Sequence, residues 1–233
     1  MRRIFSIDFM RGFTVILMIL FNYSVTFTYF HILNFSYNFL YWIAFPRLIA
    51  GIFIFISGAA AYAACRNSKE NFGKKYFARG SKLLIFALLV TLFTYIFVPQ
   101  GTIIFGILHF FAATSFFIPF FVRCKRLNLI LGLSVVLFGF YLQFQNFGFS
   151  NLFWLFPQNL FTFDYFPLFP WLGILLLGIF FGRKVVEKTA KFKMDGLFAN
   201  FFAFLGRNSL AIYLIHQPIL VLILAIFGFR LFF

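Results

Sequence analysis

Seven long apolar stretches follow one another along the chain, separated by short polar segments. A helix needs roughly 17–25 mainly apolar residues to cross the hydrocarbon core of a bilayer, and these stretches reach or approach that length. They cover residues 10–29, 41–64, 83–98, 102–122, 127–143, 167–182 and 209–229. The third and sixth are short, which indicates tilted or interfacial helices, or helices extended by neighbouring residues. The pattern predicts an all-α, polytopic membrane helix bundle of about seven transmembrane helices.

The positive charges alternate with these stretches. Of the 20 Lys and Arg residues, all but Arg47 and Arg230 fall in every second gap, beginning with the N-terminal segment. Cytoplasmic loops retain an excess of Lys and Arg during insertion, so the alternation predicts a cytoplasmic N-terminus. The chain is therefore predicted to be a multi-pass integral protein of the cell membrane.

Composition agrees with a membrane protein and excludes several other classes. A chain that is 63% hydrophobic, with a mean hydropathy of +0.98, has too little polar surface for a soluble globule. The net charge of +15 is explained by the cytoplasmic loops, so we expect no nucleic-acid partner. Two cysteines at predicted cytoplasmic helix ends form no metal site, and no metal is expected. No repeat or linker marks a second domain, so residues 1–233 are predicted to form a single transmembrane domain.

One group of polar residues lies toward the predicted outer face. An ionisable side chain inside a membrane segment costs about 2.5–3.5 kcal/mol on insertion scales, so each one needs an explanation. Asn22, Arg47 and His109 each lie six or seven residues from an outer helix end, on the order of 10 Å deep. His31 lies at the outer mouth of the first helix, and Asp164 just precedes the sixth.

These outer residues permit either a structural or a catalytic interpretation. Arg47 and Asp164 are expected to form an ion pair, which could be only a structural clamp. His109 could pack between helices, and His31 could be a solvated interfacial residue. Alternatively, an imidazole with a pKa of about 6.5 can deprotonate an attacking group, and Asn22 or Arg47 can stabilise an oxyanion. That combination suits acyl transfer to an acceptor arriving from outside.

A second group lies toward the predicted inner face. Asp8 and Arg11 share a helix face, and His216 lies seven residues into the last apolar stretch, about 10 Å from the cytoplasmic surface. Asn208 or Ser209 could cap that last helix. A helix N-terminus beside cations is a plausible phosphate site, although the same cations also determine topology. The cations in question are Arg11, Lys191, Lys193 and Arg207.

Five short motifs, in order along the chain, resemble the heparan-α-glucosaminide N-acetyltransferase catalytic-domain family in its short prokaryotic form. They are Arg3-Ile-Phe-Ser-Ile-Asp8-Phe-Met-Arg11-Gly12, Arg47-Leu-Ile-Ala, Phe105-Gly-Ile-Leu-His109, Asp164-Tyr-Phe-Pro-Leu-Phe-Pro170-Trp171-Leu-Gly173 and Leu205-Gly-Arg-Asn-Ser-Leu-Ala-Ile-Tyr-Leu-Ile-His216-Gln-Pro218. The resemblance extends over essentially the whole chain, with the motifs in the family's order.

The resemblance implies an enzyme that takes an acetyl group from cytosolic acetyl-CoA and delivers it to an acceptor at the outer face. The eukaryotic relative carries an Asn-Tyr pair followed by a histidine, and Asn22-Tyr23 with His31 look similar. This makes His31 the carried-over catalytic base or acyl relay. Many prokaryotic members place a histidine where Asn22 stands, and the sequence departs from the family there.

The sequence hypothesis is therefore a transmembrane acetyltransferase whose acceptor is an amino sugar or a cell-envelope glycan. His31 or His109 would activate the acceptor, and Asn22 and Arg47 would stabilise the oxyanion. Asp164 would orient Arg47 or a histidine. Acetyl-CoA would be bound by residues of the inner group, namely Arg11, Lys191, Arg207, Asn208 and His216. Two alternatives stay open: a membrane transporter or exporter, and a catalytically inactive partner subunit. A homo-oligomer is also possible.

Overall fold

The computed structural model describes residues 4–67, 70–144, 162, 164–190 and 196–227, and these residues form helices and connecting loops without a β-strand. The helices are α1 (Phe5–Tyr29), α2 (Phe45–Asn67), α3 (Phe72–Phe97), α4 (Ile107–Phe121), α5 (Lys125–Phe144), α6 (Leu168–Ala190), α7 (Leu197–Arg207) and α8 (Ser209–Ile226). A π-helical turn, Leu40–Ala44, leads directly into α2, and a 3₁₀ turn, Pro99–Gly101, follows α3. The prediction of an all-α chain is confirmed.

Four of these helices are long and apolar enough to cross a membrane. They are α1, α3, the π-turn with α2, and α6, and the pair α7 and α8 adds a fifth if its 85° bend lies within one span. The apolar helices α4 and α5 are shorter. The chain is thus a membrane protein with four or five membrane-competent helices among the described residues, while the multi-pass topology, the count of seven and the cytoplasmic N-terminus stay predictions.

Helix lengths differ from the apolar stretches that predict them. The third and sixth stretches lie within longer helices that also include polar neighbours: α3 has 26 residues and α6 has 23. The fourth becomes shorter, since α4 begins only after Gly106 and has 15 residues. Lys74 and Lys75 lie in the first turn of α3, where exposed cations fit a helix without needing an apolar environment.

The chain divides into two compact units. The middle unit is Ser57–Arg183, and the terminal unit combines Arg2–Ile56 with Lys184–Phe233. The middle unit contains α3, α4 and α5, whereas the terminal unit contains α1, α7 and α8. That all 233 residues form one domain stays a prediction.

Close helix contacts in both units depend on glycines. In the middle unit, Gly58 lies directly against the backbone of Leu175 on α6. In the terminal unit the contact is reciprocal: Gly12 of α1 lies against the carbonyl oxygen of Phe202, and Gly206 of α7 lies against that of Asp8. A Cβ atom at either glycine would overlap with backbone, so the helices can approach this closely only because both residues lack one.

The α1–α7 contact gives a stability prediction. Gly12→Ala or Gly206→Ala places a methyl group against a backbone carbonyl, and we expect a loss of about 1–3 kcal/mol from overpacking. Gly73→Ala in α3 is the matched control, because its added Cβ meets nothing within 4 Å. Thermal unfolding in detergent measures the difference. Equal melting temperatures for Gly206→Ala and Gly73→Ala would show that α1 and α7 are not in backbone contact.

Candidate functional site

A row of polar side chains joins α1 to α8 inside the terminal unit. Asn22 Nδ2 lies 3.3 Å from His216 Nε2, and the Tyr23 hydroxyl donates to the His216 carbonyl oxygen at 3.2 Å. One turn further along α1, the Thr26 hydroxyl lies 3.2 Å from Gln217 Oε1. These five residues are called the α1–α8 seam below. Polar pairs of this kind stabilise helix association in lipid because water is excluded there.

The hydrogen bonds of His216 assign its tautomer. Its Nδ1 lies 2.8 Å from the carbonyl oxygen of Tyr213 and 3.1 Å from that of Ile212. Carbonyl oxygens only accept hydrogen bonds, so Nδ1 carries the proton and Nε2 of the neutral ring has a lone pair. That lone pair accepts a hydrogen bond from the Asn22 amide. The seam therefore contains a fixed proton acceptor.

The surroundings of His216 restrict its access to water. The side chain is buried, and the Tyr23 ring lies almost parallel to the imidazole, with 6.2 Å between ring centroids. Toward the end of α8, Leu220 and Leu224 are buried against aromatic residues of α1, including Phe27. An imidazole held this way keeps its orientation, and low water access strengthens its electrostatic interactions.

The division into inner and outer groups is wrong for Asn22 and His216. The sequence places Asn22 near the outer face and His216 near the inner face, yet their side chains are in hydrogen-bond contact. The depth predicted for His216 assumes that α8 begins at the membrane surface. Instead α8 follows α7 across an 85° bend, and α7 itself packs along the first turns of α1.

His109 has a structural arrangement in the middle unit. Its Nδ1 accepts the backbone N–H of Gly106 at 3.3 Å, and its Nε2 lies 3.3 Å from the Thr91 hydroxyl. That hydroxyl donates to the carbonyl oxygen of Ile103 at 2.6 Å. Both ring nitrogens thus fix the loop before α4, and this favours the helix-packing interpretation over a catalytic one.

Arg47 and Asp164 belong to different units, and each has a local partner. Asp164 Oδ2 accepts the N–H of Ile107 at 2.9 Å, which places a carboxylate at the N-terminus of α4. The exposed Arg47 donates from Nη1 to the carbonyl oxygen of Ile43 at 3.3 Å. The ion pair between Arg47 and Asp164 stays a prediction.

His31 follows the C-terminal end of α1 and has an unusual backbone conformation. Its φ is 54°, in the left-handed region, and its N–H donates to the Thr28 carbonyl oxygen at 3.1 Å. The side chain is exposed, which agrees with the interfacial interpretation. Its catalytic role, carried over from the family resemblance, stays a prediction.

Two of the residues predicted to bind acetyl-CoA flank the glycine contact of α1 and α7. Arg11 directly precedes Gly12, and Arg207 directly follows Gly206, so the backbone positions of both arginines adjoin the same contact. Arg207 is exposed and donates from Nε to the Ala203 carbonyl oxygen at 3.2 Å. Lys191 lies outside the described residues.

Asn208 lies between α7 and α8, and its predicted role in acetyl-CoA binding stays a prediction. Its Nδ2 donates to the Phe204 carbonyl oxygen at 2.9 Å, so the side chain closes the C-terminal end of α7. Its side chain is exposed beside Arg207. Among the residues that the structure describes, no three His, Cys, Asp or Glu side chains come close enough to hold a metal ion.

Sequence reasoning missed three members of the seam and the Thr91 link. Tyr23, Thr26 and Gln217 were not assigned a site role, although Asn22 and Thr26 lie four residues apart on one helix face. The adjacent polar residues His216 and Gln217 interrupt an otherwise apolar stretch. Matching the polar positions of the first apolar stretch with those of the last one would have predicted the α1–α8 seam.

The His109 arrangement gives a second prediction. Thr91→Val removes the hydroxyl that accepts from His109 and donates to Ile103, leaving both groups without that partner. We expect a loss of about 1–3 kcal/mol of unfolding free energy, measured by denaturant titration in detergent. Thr91→Ser keeps the hydroxyl and should stay closer to the unsubstituted protein. Equal stability of the Val and Ser variants would argue against the link.

Comparison with known proteins identifies the family of the chain. The family model described as heparan-alpha-glucosaminide N-acetyltransferase, catalytic, matches residues 3–218. Searches of curated proteins and of solved structures give no match. The matched range contains α1, the α1–α8 seam and the arginines beside the glycine contact. The chain therefore belongs to the heparan-alpha-glucosaminide N-acetyltransferase catalytic family, whose members are membrane acetyltransferases.

Proposed function

We propose that the protein transfers an acetyl group from cytosolic acetyl-CoA to an acceptor, a glycan or amino sugar, at the opposite face of the cell membrane. The observation that carries this proposal is the contact between Asn22 and His216 within helices that belong to membrane-competent segments. A buried imidazole with an oriented lone pair can act as a general base in acyl transfer, and an amide N–H beside it can stabilise the oxyanion.

The seam supplies both parts of such a step. Nε2 of His216 would take the proton of the attacking group as its bond to the acetyl carbon forms. One N–H of the Asn22 amide already reaches His216, and the second can donate to the oxyanion. We further propose that Arg47 adds positive charge near that oxyanion. The proton then passes from His216 to the departing thiolate of CoA.

The distance between the residues proposed to bind the phosphates of acetyl-CoA and those proposed to react is close to the length of its pantetheine arm. Arg11 and Asn22 are eleven residues apart on one continuous helix, which corresponds to about 16 Å. A pantetheine arm has roughly the backbone length of four extended residues, about 14 Å. We propose that Arg11, Lys191 and Arg207 bind the phosphates, with exposed Asn208 adding a hydrogen bond, so that the thioester reaches His216.

The proposed roles of the histidines change accordingly. His216 moves from the donor site to the reacting atoms, either as general base or as the nucleophile of an acetyl-histidine relay. His31 is proposed to meet the acceptor at the end of α1. For His109 and Asp164 we propose a positioning role, because both hold the residues that begin α4.

Binding of the donor gives the third prediction. Acetyl-CoA should raise the melting temperature of the purified protein in detergent, because a ligand specific for the folded state stabilises it by about 2.7 kcal/mol at 100 times its Kd. Arg207→Ala should weaken the shift. Lys74→Ala is the control, since it removes an exposed cation from the middle unit. A parallel measurement with ATP tests whether an adenine nucleotide without the acetyl-pantetheine arm is sufficient to raise the melting temperature.

The outcomes separate the proposed enzyme from its alternatives. A shift with acetyl-CoA that ATP does not reproduce supports a donor site. An equal loss of the shift in Arg207→Ala and Lys74→Ala would indicate nonspecific charge. No shift at millimolar acetyl-CoA would contradict the proposal and favour a transporter or an inactive partner subunit.

Turnover gives the fourth prediction. In membrane vesicles that contain the protein, His216→Gln should lower CoA release from acetyl-CoA by about 10²–10⁴-fold, the usual contribution of a general base. The acetyl-CoA thermal shift should persist in this variant. His31→Asn is the comparison, because Asn tolerates a left-handed backbone. Loss of turnover in His31→Asn but not in His216→Gln would transfer the role of base to His31.

A further inference from the structure

The helix α7 presents three different sides. One side packs against α1, and its buried residues are Ala199, Phe202, Ala203 and Gly206. A second side is apolar and exposed, with exposed fractions of 90% for Leu197, 65% for Phe198, 52% for Phe201 and 55% for Phe204. The third side is a polar strip, because Asn200 and Arg207 are exposed and their spacing puts them on one face. Separate apolar and polar sides are typical of a helix at a boundary between lipid and water.

The direction of α8 shows how α7 is oriented. His216 contacts Asn22, while Leu224, further along α8, belongs to a buried pair that packs against residues further along α1, among them Phe30. The two helices therefore run side by side in the same direction. Since the axis of α7 turns by 85° from that of α8, α7 crosses the start of this helix pair instead of extending it.

The lengths of α1 and α8 show that neither needs α7 to cross a membrane. Gly12, where α7 touches α1, and Tyr29, where α1 ends, are separated by about 26 Å along the helix. The 18 residues of α8 correspond to about 27 Å. Both lengths are close to the hydrocarbon core of a bilayer, which is roughly 30 Å thick. The contact with α7 therefore lies at the end of α1 and α8 where the core begins.

The charges next to α7 agree with this level. The segment that leads to it, residues 184–195, has four lysines and two acidic residues, and the exposed Arg207 ends the helix. Cations near the membrane surface gain about 1 kcal/mol each from anionic phospholipid headgroups. Arg207 belongs to the polar strip, so its charge and the exposed aromatic rings lie on different sides of the helix.

We propose that α7 lies in the plane of the membrane surface and that its exposed apolar side binds phospholipid acyl chains. The rings of Phe198, Phe201 and Phe204 enter the chains, while Asn200 and Arg207 stay at the headgroups. The partner of the apolar side is thus the bilayer, and not a second copy of the chain or another protein. This inference is independent of the proposed acetyl transfer.

An in-plane α7 sets the depth of the α1–α8 seam. Asn22 lies about 15 Å from Gly12 along α1. Half the thickness of a hydrocarbon core is also about 15 Å, so the seam lies near the middle of the bilayer. Arg11 and Arg207, which flank the glycine contact, lie at the level of the headgroups.

Fluorescence quenching tests the position of α7 in the full chain. Single cysteines are introduced in a Cys65→Ser, Cys124→Ser background, labelled with an environment-sensitive fluorophore and reconstituted in lipid nanodiscs, where iodide reaches both faces. Phe201→Cys reports the apolar side, and Asn200→Cys is its matched neighbour on the polar strip. Ile219→Cys is the deep reference, because this exposed residue lies about 15 Å from the start of α8.

The quenchers are iodide in water and nitroxide lipids that carry the nitroxide near the headgroup or near the chain end. The apolar side of an interfacial helix lies about 5–10 Å into the boundary between headgroups and chains, so the shallow nitroxide should quench the Phe201→Cys label at least about twofold more than the deep one. Iodide should quench the Asn200→Cys label most. The deep nitroxide should quench the Ile219→Cys label most.

Three results would overturn the inference. Equal iodide quenching at Phe201→Cys and Asn200→Cys would place the apolar side in water. Protection of the Phe201→Cys label from every quencher would mean that protein, such as a second copy of the chain, covers it. Deep quenching like that of Ile219→Cys would make α7 part of a broken span. The melting temperature of each variant checks its folding, and Phe204→Cys replaces Phe201→Cys if that variant is unstable.

Discussion

The need to satisfy polar groups away from water is the constraint on which the rest of this structure depends. A backbone or side-chain group without a hydrogen bond is expensive in hydrocarbon, so each polar residue in a span must find a partner. Two histidines meet this requirement in different ways. His109 uses both ring nitrogens to fix the loop before α4, whereas His216 uses one nitrogen on its own helix and leaves the other for Asn22.

This difference favours the packing interpretation for His109, whereas for His216 we propose a chemical role. The carbonyl oxygens of Ile212 and Tyr213 lie within the helix that carries His216, so the tautomer is set locally and does not depend on a distant residue. The other nitrogen, Nε2, contacts the Asn22 amide of α1, and we propose that a ligand exchanges with that amide. A fixed donor nitrogen with an exchangeable acceptor nitrogen is the arrangement that a general base requires.

The sequence predicts the apolar helices well because hydropathy reports directly on burial in lipid. Each predicted stretch overlaps a helix, from α1 to α8. It does not predict α7, whose 11 residues are too short to span and follow a cationic segment. The predicted separation of Asn22 and His216 into an outer and an inner group does not agree with their contact, because rise along a helix gives depth only when the helix begins at the surface. The role of His109 depends on backbone geometry at Gly106, which composition and spacing do not encode.

The glycine contact connects the packing of the terminal unit to its proposed chemistry. Gly12 and Gly206 bring α1 and α7 into backbone contact, and the residues next to them are Arg11 and Arg207. The same helix α1 then continues to Asn22, so one rigid element carries both the proposed phosphate site and the seam. A helix fixes the separation of its residues far better than a loop does. The fixed distance along α1 would therefore match the length of acetyl-CoA. Loss of the glycine contact would weaken acetyl-CoA binding more than it would displace His216.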